Sequence, residues 1–241
     1  MKKTSLTLAV ASVFAFAGTA NAQDYQAEAG FSYIDVEVGE YSDSAMALDF
    51  TYYLDKVSTA DKPLAEAAFL GRNSNVGLTY LTFDDADVDS TTFSGEYWHQ
   101  DLYVSADYVT ADDADALAVN LGYMIKDGLL GYVGMIDEDE IEDNTLLVGA
   151  KYVASMGANY VNLEGELQTN DGNNVISLAG DYFLNNETSI GVRVAESDVE
   201  GAETTYGVGA SYFFVPNASA GIEYTTQDEL DMIALRVAAR F

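Results

Sequence analysis

The residue types that usually carry catalysis and metal binding are scarce in this sequence. The chain has one histidine, His99, and no cysteine. A Ser-His-carboxylate enzyme needs its histidine beside a nucleophilic serine, whereas His99 follows Trp98 in a predicted short turn. Zinc sites need several His or Cys ligands, and the glycines fall within predicted strands rather than in a phosphate-binding loop. We therefore expect no enzyme activity, no metal and no cofactor.

Carboxylates are abundant instead, and many form runs between predicted strands. Asp and Glu number 40 against 10 Lys and Arg, a formal net charge of −30. A nucleic-acid-binding protein needs a basic face, so that class is excluded. Residues 137–143 have the oxygen atoms for calcium but lack the spaced Asp-x-Asp-x-Asp-Gly loop with its Glu. We expect a solvated acidic rim, whose carboxylates could share divalent cations with lipopolysaccharide phosphates.

The N-terminus has the pattern of a secretion signal. Two lysines precede the apolar residues 6–17, and positions 20–22 form a small-x-small cleavage site. The apolar run is shorter than the roughly 20 residues that a membrane-spanning helix needs. We predict a signal peptide over 1–22, cleaved after Ala22, with a short membrane anchor as the alternative. Loss of Lys2 and Lys3 would change the formal charge of the mature chain, 23–241, from −30 to −32.

Apolar residues alternate with small or polar ones through most of the mature chain. Leu117, Val119 and Leu121, for example, alternate with Ala118 and Asn120. This period of two is typical of strands whose faces meet different environments. In a membrane barrel the apolar face meets lipid and the polar face lines the lumen, whereas a soluble sandwich buries its apolar face. Tyrosines near strand ends and a polar face of small residues favour the barrel.

The connections between strands form two alternating sets, one short and one mostly acidic, which indicates up-and-down antiparallel strands. We predict one all-β domain, a transmembrane antiparallel up-and-down β-barrel of about 14 strands (12–16 possible). Both termini and the short turns are expected on the periplasmic side. The strands are predicted near 25–36, 45–54, 75–83, 91–98, 102–110, 115–125, 129–136, 144–153, 160–168, 174–184, 188–195, 204–214, 218–226 and 230–241.

One segment, residues 55–75, departs from the alternation. Pro63 can begin a helix and Gly71 can end one, and Lys62 and Glu66 are spaced for an i,i+4 pair. We predict a short helix or structured turn at the periplasmic rim. Insertion into the lumen as a partial plug is the alternative.

Strand parity places a set of charged side chains on the lumen face, because a basic group facing lipid costs about 2–4 kcal/mol at the midplane. Rings of such charges set the ionic preference of a pore. The predicted pore-lining residues are Glu28, Asp49, Glu96, Asp107, Lys151, Glu164, Glu166, Asp181, Arg193, Glu223, Arg236 and Arg240.

The C-terminal strand carries the sharpest motif, an apolar face that ends in a terminal aromatic residue. This strand must close the barrel, since lipid tolerates no open sheet edge. The residues of this face are Ile233, Leu235, Val237, Ala239 and Phe241. The chain here resembles bacterial outer-membrane porins, in which a terminal strand ending in Phe is the signal for the barrel-assembly machinery.

A second block is similar to the putative general porin family of Gram-negative proteobacteria. The residues that carry this similarity are Tyr52-Tyr53-Leu54, Val57, Pro63 to Leu70, Arg72 and Ser74-Asn75-Val76. The resemblance implies an outer-membrane pore for passive diffusion of small hydrophilic solutes, with outer-membrane lipid, lipopolysaccharide and the assembly machinery as partners. The excess of acidic residues favours weak cation selectivity. A non-conducting structural or partner-binding barrel and a secreted soluble β-sandwich remain the alternatives.

Overall fold

Fourteen antiparallel strands form a closed sheet in the computed structural model, which describes residues 24–86, 88–111, 114–139, 143–215 and 217–241. The predicted signal peptide, 1–22, lies outside the described residues. The strands are β1 (Tyr25–Val38), β2 (Tyr41–Val57), β3 (Asn75–Phe83), β4 (Asp89–His99), β5 (Leu102–Ala111), β6 (Ala114–Lys126), β7 (Leu129–Glu138), β8 (Thr145–Met156), β9 (Asn159–Asn170), β10 (Asn173–Phe183), β11 (Thr188–Ser197), β12 (Thr205–Val215), β13 (Ala218–Gln227) and β14 (Leu230–Arg240).

Each strand pairs with its neighbours in sequence, and β14 returns to pair with β1. The closing register runs from Glu28 opposite Arg240 to Val38 opposite Leu230. The predicted fourteen-stranded up-and-down barrel is therefore confirmed. Because the strand number is even, both ends of the described chain lie at one end of the barrel, called here the terminal end. The acidic connections lie at the other, called the acidic end.

The alternation of the sequence has the predicted structural consequence. Leu117, Val119 and Leu121 on β6 are 42%, 38% and 58% exposed, so they cover the outside of the barrel. A soluble sandwich would bury these side chains in a protein core, and that alternative is wrong. Among the described residues, no helix combines the length and apolar character needed to cross a membrane.

The first hairpin is longer than the sequence predicts. Residues 37–44 were expected to form a connection, yet β1 continues to Val38 and β2 begins at Tyr41. Only Gly39 and Glu40 turn the chain, with Gly39 at a φ of 62° that favours glycine. The residues of this hairpin are mostly polar, so they lack the alternation that predicts a strand. The two strands form nevertheless, because their backbone hydrogen bonds do not depend on side-chain alternation.

Part of the inner face is apolar, a feature that the alternation of the sequence does not predict. Near the acidic end, Ile34, Ala45, Ala47, Phe83 and Met232 form a buried cluster across β14, β1, β2 and β3. The loop after β3 is attached to the same wall, since Asp43 accepts hydrogen bonds from the backbone N–H of residues 85 and 86 at 2.9 and 3.0 Å. This wall of the interior is therefore filled by side chains.

Candidate pore and its inserted segment

Residues 58–74, called here the inserted segment, connect β2 and β3 at the terminal end. Pro63 is followed by a 3₁₀ turn, Leu64–Glu66, and a short α-helix, α1 (Ala67–Gly71). The predicted short helix is thus confirmed. The residue that ends the helix in the left-handed conformation is Arg72, with a φ of 53°, and not Gly71.

One side of the inserted segment packs on the strands at which the barrel closes. Ala67 lies with Tyr25, Tyr53 and Val57 in a cluster whose members are at most 7% exposed. The two tyrosine rings meet edge to face, with centroids 5.4 Å apart. The segment therefore covers the inner face of β1 and β2.

The next contacts reach the strands on the β14 side of the β1–β14 closure. Leu64 packs on Phe213 of β12, and its carbonyl accepts a hydrogen bond from Arg240 Nη1 of β14 at 3.5 Å. Its N–H donates to the carbonyl of Asn186, in the turn before β11, at 3.0 Å.

Other contacts reach the far wall. The Phe69 and Trp98 rings lie 6.2 Å apart, and Lys151 Nζ of β8 lies 2.9 Å from Glu66 Oε2. A turn confined to the rim cannot touch β4, β8, β12 and β14 together, so the rim prediction is wrong. The segment crosses the interior of the barrel at its terminal end, as the plug alternative requires.

Four of the predicted pore-lining residues meet at the closing seam. Arg240 Nε donates to Glu28 Oε2 at 2.7 Å, and the Arg240 guanidinium lies over the Tyr25 ring at 3.9 Å. Arg236 pairs with Asp49 and, at 3.4 Å, with Glu28. Sequence-distant charges from three adjacent strands thus form one buried ionic cluster.

A second group of four lies on β8 to β11. Lys151 Nζ is 2.9 Å from Glu164 Oε1, and Arg193 Nη2 is 2.9 Å from Asp181 Oδ1. Asn162 joins the two pairs by donating to Glu164 at 2.8 Å and to Asp181 at 3.1 Å. With Glu66, these residues form a continuous polar network across four strands.

The remaining four residues are carboxylates. Within the part of the chain that the structure describes, Glu96, Asp107, Glu166 and Glu223 have no Lys or Arg nitrogen within ion-pair distance. Glu96 is held by Asn75 and Tyr103 instead, and Glu166 by Tyr132 and Gln168. The four inner bases are therefore all paired with acids, while four inner acids are not paired with bases. That the twelve residues line a conducting path stays a prediction.

Glu66 and Asn162 belong to this network but were not among the predicted site residues. The spacing of Lys62 and Glu66 predicted a local ion pair, which is wrong: Lys62 Nζ donates to the Ser58 carbonyl at 3.2 Å, and Glu66 pairs with Lys151. Burial raises the pKa of the Glu66 carboxyl, while the neighbouring ammonium opposes that rise. A single Glu in the otherwise apolar stretch 63–70 was the available signal, but its distant partner has none in the sequence.

A cavity of about 670 Å³ remains between the inserted segment and the ends of β6, β8 and β9. Lys62, Gly71 and Arg72 line it on the segment side. Asp127 and the stretch 152–155 line it on the barrel side. Arg72 is itself held by Asp101 and Asp127, at 2.7 and 2.9 Å. The segment therefore does not fill the terminal end completely.

His99 and the C-terminal motif lie apart from this interior. His99 is the exposed last residue of β4, whereas Trp98 is buried against the inserted segment. The apolar face of β14 is exposed, with Ile233 at 45% and Phe241 at 68%. Phe241 N–H donates to the Ala27 carbonyl at 2.9 Å, so the last residue is part of the closing seam. Within the described ranges, no group of His, Asp and Glu side chains is arranged to hold a metal ion.

Several solved structures share this architecture. The outer membrane protein Omp33 of Acinetobacter baumannii matches with a TM-score of 0.80 and 23% identity, over 92% of this chain and 100% of that one. A triple mutant of the Rhodopseudomonas blastica porin matches with a TM-score of 0.52 and 13% identity, over 89% and 99%. The KdgM porin, solved with disordered oligogalacturonate, matches with a TM-score of 0.50 and 9% identity, again over 89% and 99%. Identities this low show the fold alone.

Sequence comparison identifies the family. None of the curated proteins matches the chain. The family model described as "Putative general bacterial porin" matches residues 1–147 and 123–241, which together span the whole chain. The fold, the polar interior and this match agree, and the chain belongs to the general bacterial porin family that the model describes.

Proposed function

We propose that this outer-membrane porin forms a water-filled channel for passive diffusion of small hydrophilic solutes. The observation that carries the proposal is the set of inner carboxylates without a basic partner, Glu96, Asp107, Glu166 and Glu223. Burial of an ionised group without a partner is costly. Such carboxylates stay ionised only where water reaches them. Glu96, Asp107 and Glu166 are partly exposed to the interior, whereas Glu223 is buried.

The size of the barrel supports a narrow channel. Barrels of about eight strands are filled by their side chains, whereas 16 to 18 strands leave an aqueous channel. Fourteen strands lie between these limits, and the inserted segment occupies much of the terminal end. We expect a small conductance and exclusion of large solutes.

The charge pattern supports weak cation selectivity. Each inner base, Lys151, Arg193, Arg236 and Arg240, is neutralised by a nearby acid, so the unpaired carboxylates determine the sign of the internal field. The acidic connections at the acidic end of the barrel add negative charge and so also favour cations. A negative mouth raises the local concentration of cations.

Assembly and location complete the proposal. A cleaved signal over 1–22 would export the chain, and the face from Ile233 to Phe241 would be recognised by the barrel-assembly machinery. The terminal end would then face the periplasm and the acidic end the cell surface, where carboxylates can share divalent cations with lipopolysaccharide.

Conductance of the refolded protein in a planar bilayer tests the function. We expect stepwise currents from the native, heat-modifiable form and none from a boiled sample. A correctly folded barrel that gives no current would contradict the channel and favour a structural or partner-binding barrel. Swelling of proteoliposomes in sugars of increasing size would measure the exclusion limit.

A further inference from the structure

The inserted segment packs differently against the two sides of the barrel wall. Toward β1, β2, β12 and β14, the segment is sealed by buried side chains, such as Val57 and Ala67 at 0% exposure. Toward the ends of β6, β8 and β9, the segment is held by single polar contacts, Arg72 with Asp127 and the Asp61 carbonyl with Tyr160, both at 2.9 Å. The cavity of about 670 Å³ lies between these contacts. Its volume is many times that of a water molecule, about 30 Å³ in the liquid.

The interior above the segment has the same asymmetry. The wall of β14, β1 and β2 is filled by the apolar cluster and by the buried ionic cluster of Glu28 and Arg240. The opposite wall carries half-exposed polar side chains, among them Glu96, Asn120 and Glu166. Polar side chains that water can reach therefore occur on the side of the barrel on which the cavity lies.

Of the two basic residues that line the cavity, one has no carboxylate partner within ion-pair distance in the described part of the chain. Arg72 is neutralised by two aspartates. Among the described residues, no carboxylate lies within ion-pair distance of Lys62 Nζ, which donates only to a backbone carbonyl. Within these residues, Lys62 is therefore a cation without a close acidic partner, although the second aspartate beside Arg72 makes the four charges at the cavity sum to zero.

We propose that this cavity is the periplasmic exit of the channel, an off-centre port through which small ions and solutes pass while the inserted segment stays in place. This inference rests on the proposed channel function. Lys62 stands in the port and weakens its preference for cations. The acidic mouth and a port without net charge make the channel electrically asymmetric along its axis.

Cysteine modification tests the port directly, because the chain has no native cysteine. Ser155 is exposed and lines the cavity, whereas Asn217 is exposed at the same end and does not. In Ser155→Cys, a charged methanethiosulfonate reagent should reduce the single-channel current by at least half. In Asn217→Cys, the same reagent should leave the current unchanged.

A charge-reversal pair gives a second readout that does not depend on steric block. Lys62→Glu and Lys56→Glu change the net charge equally, but Lys56 is exposed and does not line the cavity. Fixed charges act over roughly one Debye length, about 8 Å at physiological salt. We therefore expect a shift of the reversal potential toward cation preference in Lys62→Glu only.

A cross-link that holds the inserted segment in place distinguishes a permanent port from a plug that must move before the channel conducts. Leu64 and Phe213 are in contact, so a short bifunctional thiol reagent can join cysteines at these positions. Current that survives this cross-link supports the port. Loss of current on cross-linking, or no difference within either matched pair, would overturn the port while leaving the channel function intact. Absence of current from the unmodified protein would instead refute the proposed function.

Discussion

At the scale of single residues, the closing seam depends on a buried charge pair. Arg240 and Glu28 are 3% and 2% exposed. Loss of one partner from such a pair usually costs about 3–5 kcal/mol, because the other charge is left uncompensated. We predict this loss of unfolding free energy for Arg240→Met, measured by urea denaturation in detergent micelles.

Arg72 provides the matched control for that prediction. Of its two partners, Asp101 is 43% exposed and Asp127 is fully exposed, and exposed ion pairs contribute about 0–1 kcal/mol. Arg72→Met should therefore change the free energy of unfolding by no more than this amount. Equal destabilisation by the two substitutions would show that burial of the seam pair has no special role.

The terminal residue should affect assembly. Deletion of Phe241 removes its hydrogen bonds to Gln26 and Ala27 at the seam, each worth about 0.5–1.5 kcal/mol net. It also removes an exposed aromatic anchor. We expect less folded barrel in the outer membrane but undiminished export, measured by fractionation and heat-modifiable mobility. Phe241→Tyr should assemble normally, and unchanged levels after the deletion would count against an assembly signal.

Glu66 should make docking of the inserted segment depend on pH. Burial raises the pKa of its carboxyl; Glu164 and Asp181 act in the same direction, and Lys151 opposes them. The docked state therefore holds the proton more tightly than an undocked state in water, so stability of docking rises as pH falls. Lys151 keeps Glu164 as a partner when Glu66 is protonated.

Hydrogen exchange measures this effect. After correction for intrinsic rates, we expect the protection of the amides of 64–71 to increase on acidification toward the ordinary carboxylate pKa, about 4.3. The increase should be absent in Glu66→Gln, which cannot titrate. Protection that decreases with acidification would show that the ion pair with Lys151 outweighs burial.

At the scale of elements, the inserted segment should limit the current. It makes contacts with β2, β4, β8, β12 and β14 and so reduces the open cross-section at one end. Replacement of 58–74 by a two-residue turn should raise single-channel conductance severalfold. A matched deletion within 198–204, at the acidic end, should change it far less. Equal conductance of the shortened and native proteins would place the narrowest point elsewhere.

At the scale of the whole molecule, the charge distribution should determine selectivity. Reversal potentials in a salt gradient should show weak cation preference at low salt. This preference should fade as ionic strength rises, because the Debye length falls from about 10 Å at 0.1 M to about 3 Å at 1 M salt. An anion-preferring reversal at low salt would mean that the acidic mouth and the unpaired inner carboxylates do not control permeation.

The sequence by itself determined the barrel, because that information is local and repeated. Alternation over positions such as Leu117 to Leu121 defines which face of each strand must avoid water. The two sets of connections give the number and direction of the strands. The terminal alternation from Ile233 to Phe241 identifies the strand that closes the sheet.

Only the tertiary structure decided what fills the barrel. Contacts such as Glu66 with Lys151, or Leu64 with Phe213, join residues that are far apart in sequence and that no periodic pattern relates. The local i,i+4 spacing of Lys62 and Glu66 even pointed to a different pair. The physical reason is that the strand pattern is set by lipid on one side and water on the other, whereas the path of the inserted segment is set by packing and charge pairing across a closed interior.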